Sequence, residues 1–106
     1  MLKNSDGMND KESTNLFIGK IIESGLLKAQ VKSFDDNSIE VTVLEIPDSI
    51  MQRYLDIGKS YKMTRHAYWK GDLLLWEIPR EQMKRSASQV LLQWEKNIGW
   101  TWDIDS

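Results

Sequence analysis

Pro47-Asp48-Ser49-Ile50-Met51-Gln52-Arg53-Tyr54-Leu55-Asp56-Ile57-Gly58 is the stretch whose reading decides the fold. Pro47 ends whatever precedes it, because its ring fixes φ and removes a backbone donor. Ser49 with Gln52 has the spacing of a capping box. Ile50, Met51, Tyr54 and Leu55 fall on one helical face, and Gly58 suits the position after a helix end. The segment predicts a helix of about two or three turns, too short to stand on propensity and held by packing over one open end of a barrel.

Upstream, Asn15–Ser24 and Leu26–Phe34 read as strands separated by Gly25. The first has apolar residues on both sides and Gly19 in its middle, which suits a bending strand. In the second, Leu27, Ala29 and Val31 face one way and Lys28, Gln30 and Lys32 the other. Asp35-Asp36-Asn37-Ser38 is a turn. Ile39, Val41 and Val43 then alternate with Glu40 and Thr42, and the apolar parity switches to Leu44 and Ile46, which predicts a β-bulge near Val43–Leu44.

Downstream, Lys59–Trp69 reads as a fourth strand with Tyr61, Met63, Ala67 and Trp69 on one face. After the turn Lys70-Gly71-Asp72, the run Leu73-Leu74-Leu75-Trp76 has no alternation, so both of its faces should be covered. Met83, Ala87, Val90, Leu91, Trp94 and Ile98 share a helical stripe that Gly99 can end, predicting an amphipathic helix over about 80–98 as that cover. The expectation is therefore a mainly β (α+β) domain: a small five-stranded OB-like or related β-barrel, a short helix between strands three and four, and a C-terminal helix packed on the barrel. Residues 1–14, with no apolar period, read as a disordered leader, and 15–106 as one domain ending in a tryptophan-containing tail.

Composition excludes more than it assigns. The chain of 106 residues has no cysteine, which removes disulfides, thiolate zinc sites and a cysteine nucleophile. No apolar run spans a bilayer, so no membrane partner and a cytoplasmic, reducing location are expected. Net charge is −2, split as −4 over residues 1–50, +4 over 51–85 and −2 over 86–106. Such a split is usual for solvated faces and also suits an anionic partner.

No catalytic constellation can be assembled. His66 is the single histidine and has no ligand spacing around it, so neither a metal nor a cofactor is expected. Asp103 and Asp105 read as solvated charge, and Ser38 has no activating motif. Phosphate loops of the G-x-G-x-x-G and G-x-x-x-x-G-K-[ST] kinds are absent, as is the R-x-x-x-R with D/N-x-S-x-x-G of PilZ-like nucleotide-binding barrels.

Five tryptophans remain, and Trp100 and Trp102 alternate after Gly99 as an extended tail does. Trp100 and Trp102 with Arg80, Lys84 and Arg85 form the candidate partner site of a non-enzymatic protein-interaction or assembly module, acting as a monomer or small oligomer. The alternative is an OB-type protein for single-stranded nucleic acid, on Lys28, Lys32, Lys62, Arg65, His66, Tyr68, Trp69 and Lys70. Few aromatics stand on that face and the chain is acidic, so weak or no nucleic-acid binding is expected.

Overall fold

A computed structural model describes residues 14–66, 73–85 and 88–105. Among these the regular elements are seven strands and two one-turn 3-10 helices. The strands are β1 (Ile21–Glu23), β2 (Lys28–Phe34), β3 (Ser38–Glu45), β4 (Ser60–Arg65), β5 (Leu73–Glu77), β6 (Gln89–Glu95) and β7 (Gly99–Asp105). Each pairs antiparallel with its neighbours in sequence, in the order β1-β2-β3-β4-β5-β6-β7, and the sheet curls into a nearly closed barrel.

The alternation read from the sequence explains the central strands. Ala29 and Val31, Ile39, Val41 and Val43, and Tyr61 and Met63 all point into the core. Lys28 lies opposite Glu45 and Ala29 opposite Val43, so Leu44 is an extra residue on β3, a bulge where the parity switch predicted one. A second irregularity between Val31 and Ser33 leaves Lys32 extra on β2. Asn15–Ser24 is a strand only over Ile21–Glu23, because Gly19 turns the chain in the left-handed region at φ +94°.

Two expectations are corrected. The predicted helix over about 80–98 is absent. Arg80–Gln82 is a single 3-10 turn, and Gln89–Glu95 is the strand β6, with Val90 and Leu92 buried. Val90, Leu91 and Trp94 fit a helical stripe, yet Val90, Leu92 and Trp94 also alternate, and pairing on both sides settles the period at two. Leu73 and Leu75 are half-buried on the outside, in register with Glu95 and Gln93 of β6, with no helix over them among the described residues. The tail Gly99–Asp105 pairs along β6, so the five-stranded OB-like order becomes a seven-stranded meander with no crossover.

The helix expected over Pro47–Gly58 is reduced to one 3-10 turn, Met51–Arg53. Its cap is Asp48 rather than Ser49: the Asp48 Oδ2 accepts the Met51 N–H at 2.8 Å. Gln52 bonds the Ile46 carbonyl at 2.7 Å instead of closing a capping box. The segment does close one end of the barrel, with Ile46, Met51, Tyr54 and Leu55 buried, while Ile50 stays exposed. Met83 joins them, and a buried bond of 2.9 Å links the Tyr54 and Ser88 hydroxyls. We call this end the floor.

An odd number of antiparallel strands leaves the first and last running the same way. β1 and β7 meet without an antiparallel ladder, and side chains bridge them. The Trp102 indole donates to the Ile22 carbonyl at 3.1 Å, and the Trp102 N–H meets Ser24 Oγ at 3.4 Å. Trp102 is 4% exposed. Replacing it with Phe keeps an aromatic ring but removes the indole bond across the seam, for an expected loss of about 0.5–1.5 kcal/mol. Chemical denaturation checks this, and unchanged stability of Trp102→Phe contradicts a seam held by that bond.

Candidate functional site at the apolar end of the barrel

The end opposite the floor gathers the segment 14–20, the turn after β2, and the hairpin between β6 and β7. That hairpin is a three-residue loop, Lys96-Asn97-Ile98, made possible by the left-handed Asn97 (φ 74°) and Gly99 (φ 96°). Trp100 follows on the inner face, its ring 5.2 Å from that of Trp76, and its indole donates to the Thr14 carbonyl at 2.9 Å. This bond ties the start of the described chain to the hairpin. Thr14, placed by sequence in the leader, is itself buried, while residues 1–13 lie outside the described residues.

Large apolar side chains remain in water in the segment before β1, at Phe17 (49% exposed) and Ile18 (69%), at the hairpin tip, at Ile98 (64%), and on the outer face of β1, at Ile21 (42%). Gly19 explains the first two, because its left-handed turn breaks the strand pattern that would have sent one of them inward. Ile98 sits at the loop tip for the same kind of reason. Lys20 Nζ lies 5.3 Å from the Phe17 ring, and Glu23, Glu95 and Lys96 are exposed nearby in sequence, so the rim mixes both signs of charge. Sequence reasoning missed this group. The available signal was a glycine within two residues of each member, with apolar residues where turns usually carry polar ones.

The residues proposed from sequence are dispersed. Trp102 is core and Trp100 half-buried, whereas Arg80, Lys84 and Arg85 lie near the floor, at the other end. Lys84 is paired there with Asp56, at 3.0 Å. Lys28 and Lys32 do face outward from β2, but Glu45 stands 3.4 Å from the first and Glu40 4.0 Å from the second. Lys62 is exposed opposite Glu40. The Arg65 guanidinium turns onto the Trp76 ring at 5.3 Å, and His66 Nε2 is 3.3 Å from Glu77 Oε1. Tyr68, Trp69 and Lys70 lie outside the described residues.

Among the described residues no cluster of three or more histidine, aspartate or glutamate side chains could hold a metal ion. Two groups have perturbed acidities, and both serve turns. Burial raises Tyr61, whose hydroxyl accepts the Asp56 N–H at 2.8 Å. The Asn37 N–H lowers the Asp35 carboxyl below 3.8, helped by the Ser38 hydroxyl. Asp35 Oδ1 accepts both the Asn37 and Ser38 N–H groups at 2.8 Å, which fixes the turn between β2 and β3. Comparison with protein-family models, curated proteins and solved structures gives no match to this chain.

The sign of the Asp35 effect follows from its depressed acidity. Its contribution is present above the ordinary carboxylate value of 3.8 and fades as pH falls through the lower folded value. Melting temperatures of the wild type and Asp35→Asn, measured from pH 7 to pH 2, are expected to converge toward the acid end. A constant gap across that range contradicts the assigned role of the carboxylate.

Proposed function

We propose that this chain is a non-enzymatic β-barrel interaction module that docks a protein partner on its apolar end. The observation that supports the reading is the exposed group Phe17, Ile18, Ile21 and Ile98 beside the ordered pair Trp76–Trp100. Isolated exposed apolar residues are ordinary, but several on two segments that the Trp100–Thr14 bond ties together, with charges of both signs near them in sequence, suit a protein interface. A rigid barrel behind them limits the entropy lost on docking. The partner residues named from sequence contribute in two ways: Trp100 buttresses this end, while Arg80, Lys84 and Arg85 belong to the opposite face.

Binding of single-stranded nucleic acid gains less support, because the outward lysines of β2 stand beside glutamates. A phosphate chain crossing that face would meet both signs of charge.

The test is capture from a lysate of the native cells, with the full chain as bait and Ile18→Glu with Ile98→Glu as the matched control. Both positions are exposed, so stability should change by no more than about 0.5 kcal/mol each. The expected result is a protein recovered by the wild type and reduced about tenfold or more by the double variant. Equal recovery by both baits contradicts the site. Recovery of nucleic acid that is lost on Lys28→Ala with Lys32→Ala overturns the reading itself.

A further inference from the structure

The barrel has a second incomplete junction, between β4 and β5. Among the described residues these strands pair at Thr64 with Glu77 and Arg65 with Trp76, and the His66 N–H donates to the Leu75 carbonyl at 2.8 Å just beyond. Toward the floor the chain after β5 leaves β4 and follows β6, the Ile78 N–H bonding the Val90 carbonyl at 3.1 Å. Lower β4 keeps β3 on one side, with Tyr61 opposite Val41 and Met63 opposite Ile39, and has no strand among the described residues on the other.

A side chain stands where that strand is missing. Gln82 Oε1 accepts the Lys62 N–H at 3.0 Å, and Gln82 Nε2 donates to the Lys62 carbonyl at 3.0 Å. A carboxamide carries the donor and acceptor of one peptide group, so Gln82 replaces one residue of a neighbouring strand. It projects from the segment Pro79–Arg85, which crosses the floor. That segment is anchored by the Lys84 N–H on the Tyr54 carbonyl at 3.1 Å, by Lys84 Nζ on Asp56, and by the buried Met83.

We infer that Gln82 is a clasp and that the β4–β5 split is the line along which the folded barrel opens. Releasing the clasp frees the lower edge of β4 and admits solvent to the floor of the core at Met83, with the rest of the barrel intact. Opening the other junction, between β1 and β7, requires withdrawing the Trp102 ring from the core. The clasp itself is two bonds at an exposed strand edge, and lifting its segment further breaks the Lys84 contacts and withdraws Met83, a smaller side chain than Trp102. Cooperative units of lower stability than the whole molecule open at such places.

The absence of native cysteine makes a direct test possible. The full chain carrying Met83→Cys, with and without Gln82→Ala, is reacted under native conditions with an aromatic disulfide reagent, and Leu92→Cys on β6 serves as the buried control. Gln82→Ala is expected to speed labelling of Met83→Cys about tenfold or more and to leave Leu92→Cys unchanged. Equal rates at Met83→Cys with and without Gln82→Ala overturn the proposal, as does acceleration of both thiols together. Should the thiol variants misfold, amide exchange in Gln82→Ala alone decides. Faster exchange at Lys84, whose N–H bonds the Tyr54 carbonyl on the floor, with Met63 and Trp102 unchanged supports the clasp, and any other pattern overturns it.

Discussion

The bond between the Trp102 indole and the Ile22 carbonyl is the contact on which the closed shape depends. Seven strands laid antiparallel in sequence order bring β1 and β7 together in parallel, and β1 has only three residues with which to pair. A parallel ladder that short offers little. The indole does the joining instead, with its ring in the core and its N–H at the seam, the combination of apolar bulk and one donor that suits tryptophan. The exposed edge of β7 is blunted as well: the Ile104 N–H is taken by the Asp103 carboxylate at 2.8 Å. That leaves less main chain free for edge-to-edge association.

Much of the first half was legible from alternation, including the inward residues of β2, β3 and β4 and the bulge at Leu44. The second half misled for a definite reason. Over Val90–Glu95 the apolar residues satisfy periods of 2 and 3.6 together, and Leu, Gln and Glu favour helix locally. Asn97 and Gly99 compounded the ambiguity, since a left-handed residue ends a helix as well as it turns a hairpin. What decides is non-local: β5 on one side and β7 on the other supply ladder partners that no window of sequence contains. The apolar end was invisible for a related reason. Thr14 and Trp100 are 86 residues apart and meet only in the folded barrel.

The two ends of the barrel are closed by different means. The floor is sealed by Met51, Tyr54, Leu55 and Met83 and stitched by polar bonds, including the clasp at Lys62. Trp76 and Trp100 stack toward the opposite end, and exposed apolar side chains occur on both sides: Ile50 and Ile57 on the floor segment, and Phe17, Ile18, Ile21 and Ile98 on the first segment and the last hairpin. Between them the outer wall alternates lysine with glutamate, which suits solubility better than attraction of a polyanion.

The most direct measurement of the account is solvent exchange of the five tryptophan indole protons in the native protein. A barrel joined through Trp102 requires its indole proton to be among the slowest in the molecule, exchanging only when the whole domain unfolds. Nuclear Overhauser contacts from that proton to Ile22 should accompany the protection. An indole proton of Trp102 that exchanges at the rate of a free side chain, with no contact to β1, would mean that the seam is open and the barrel is not closed in this way.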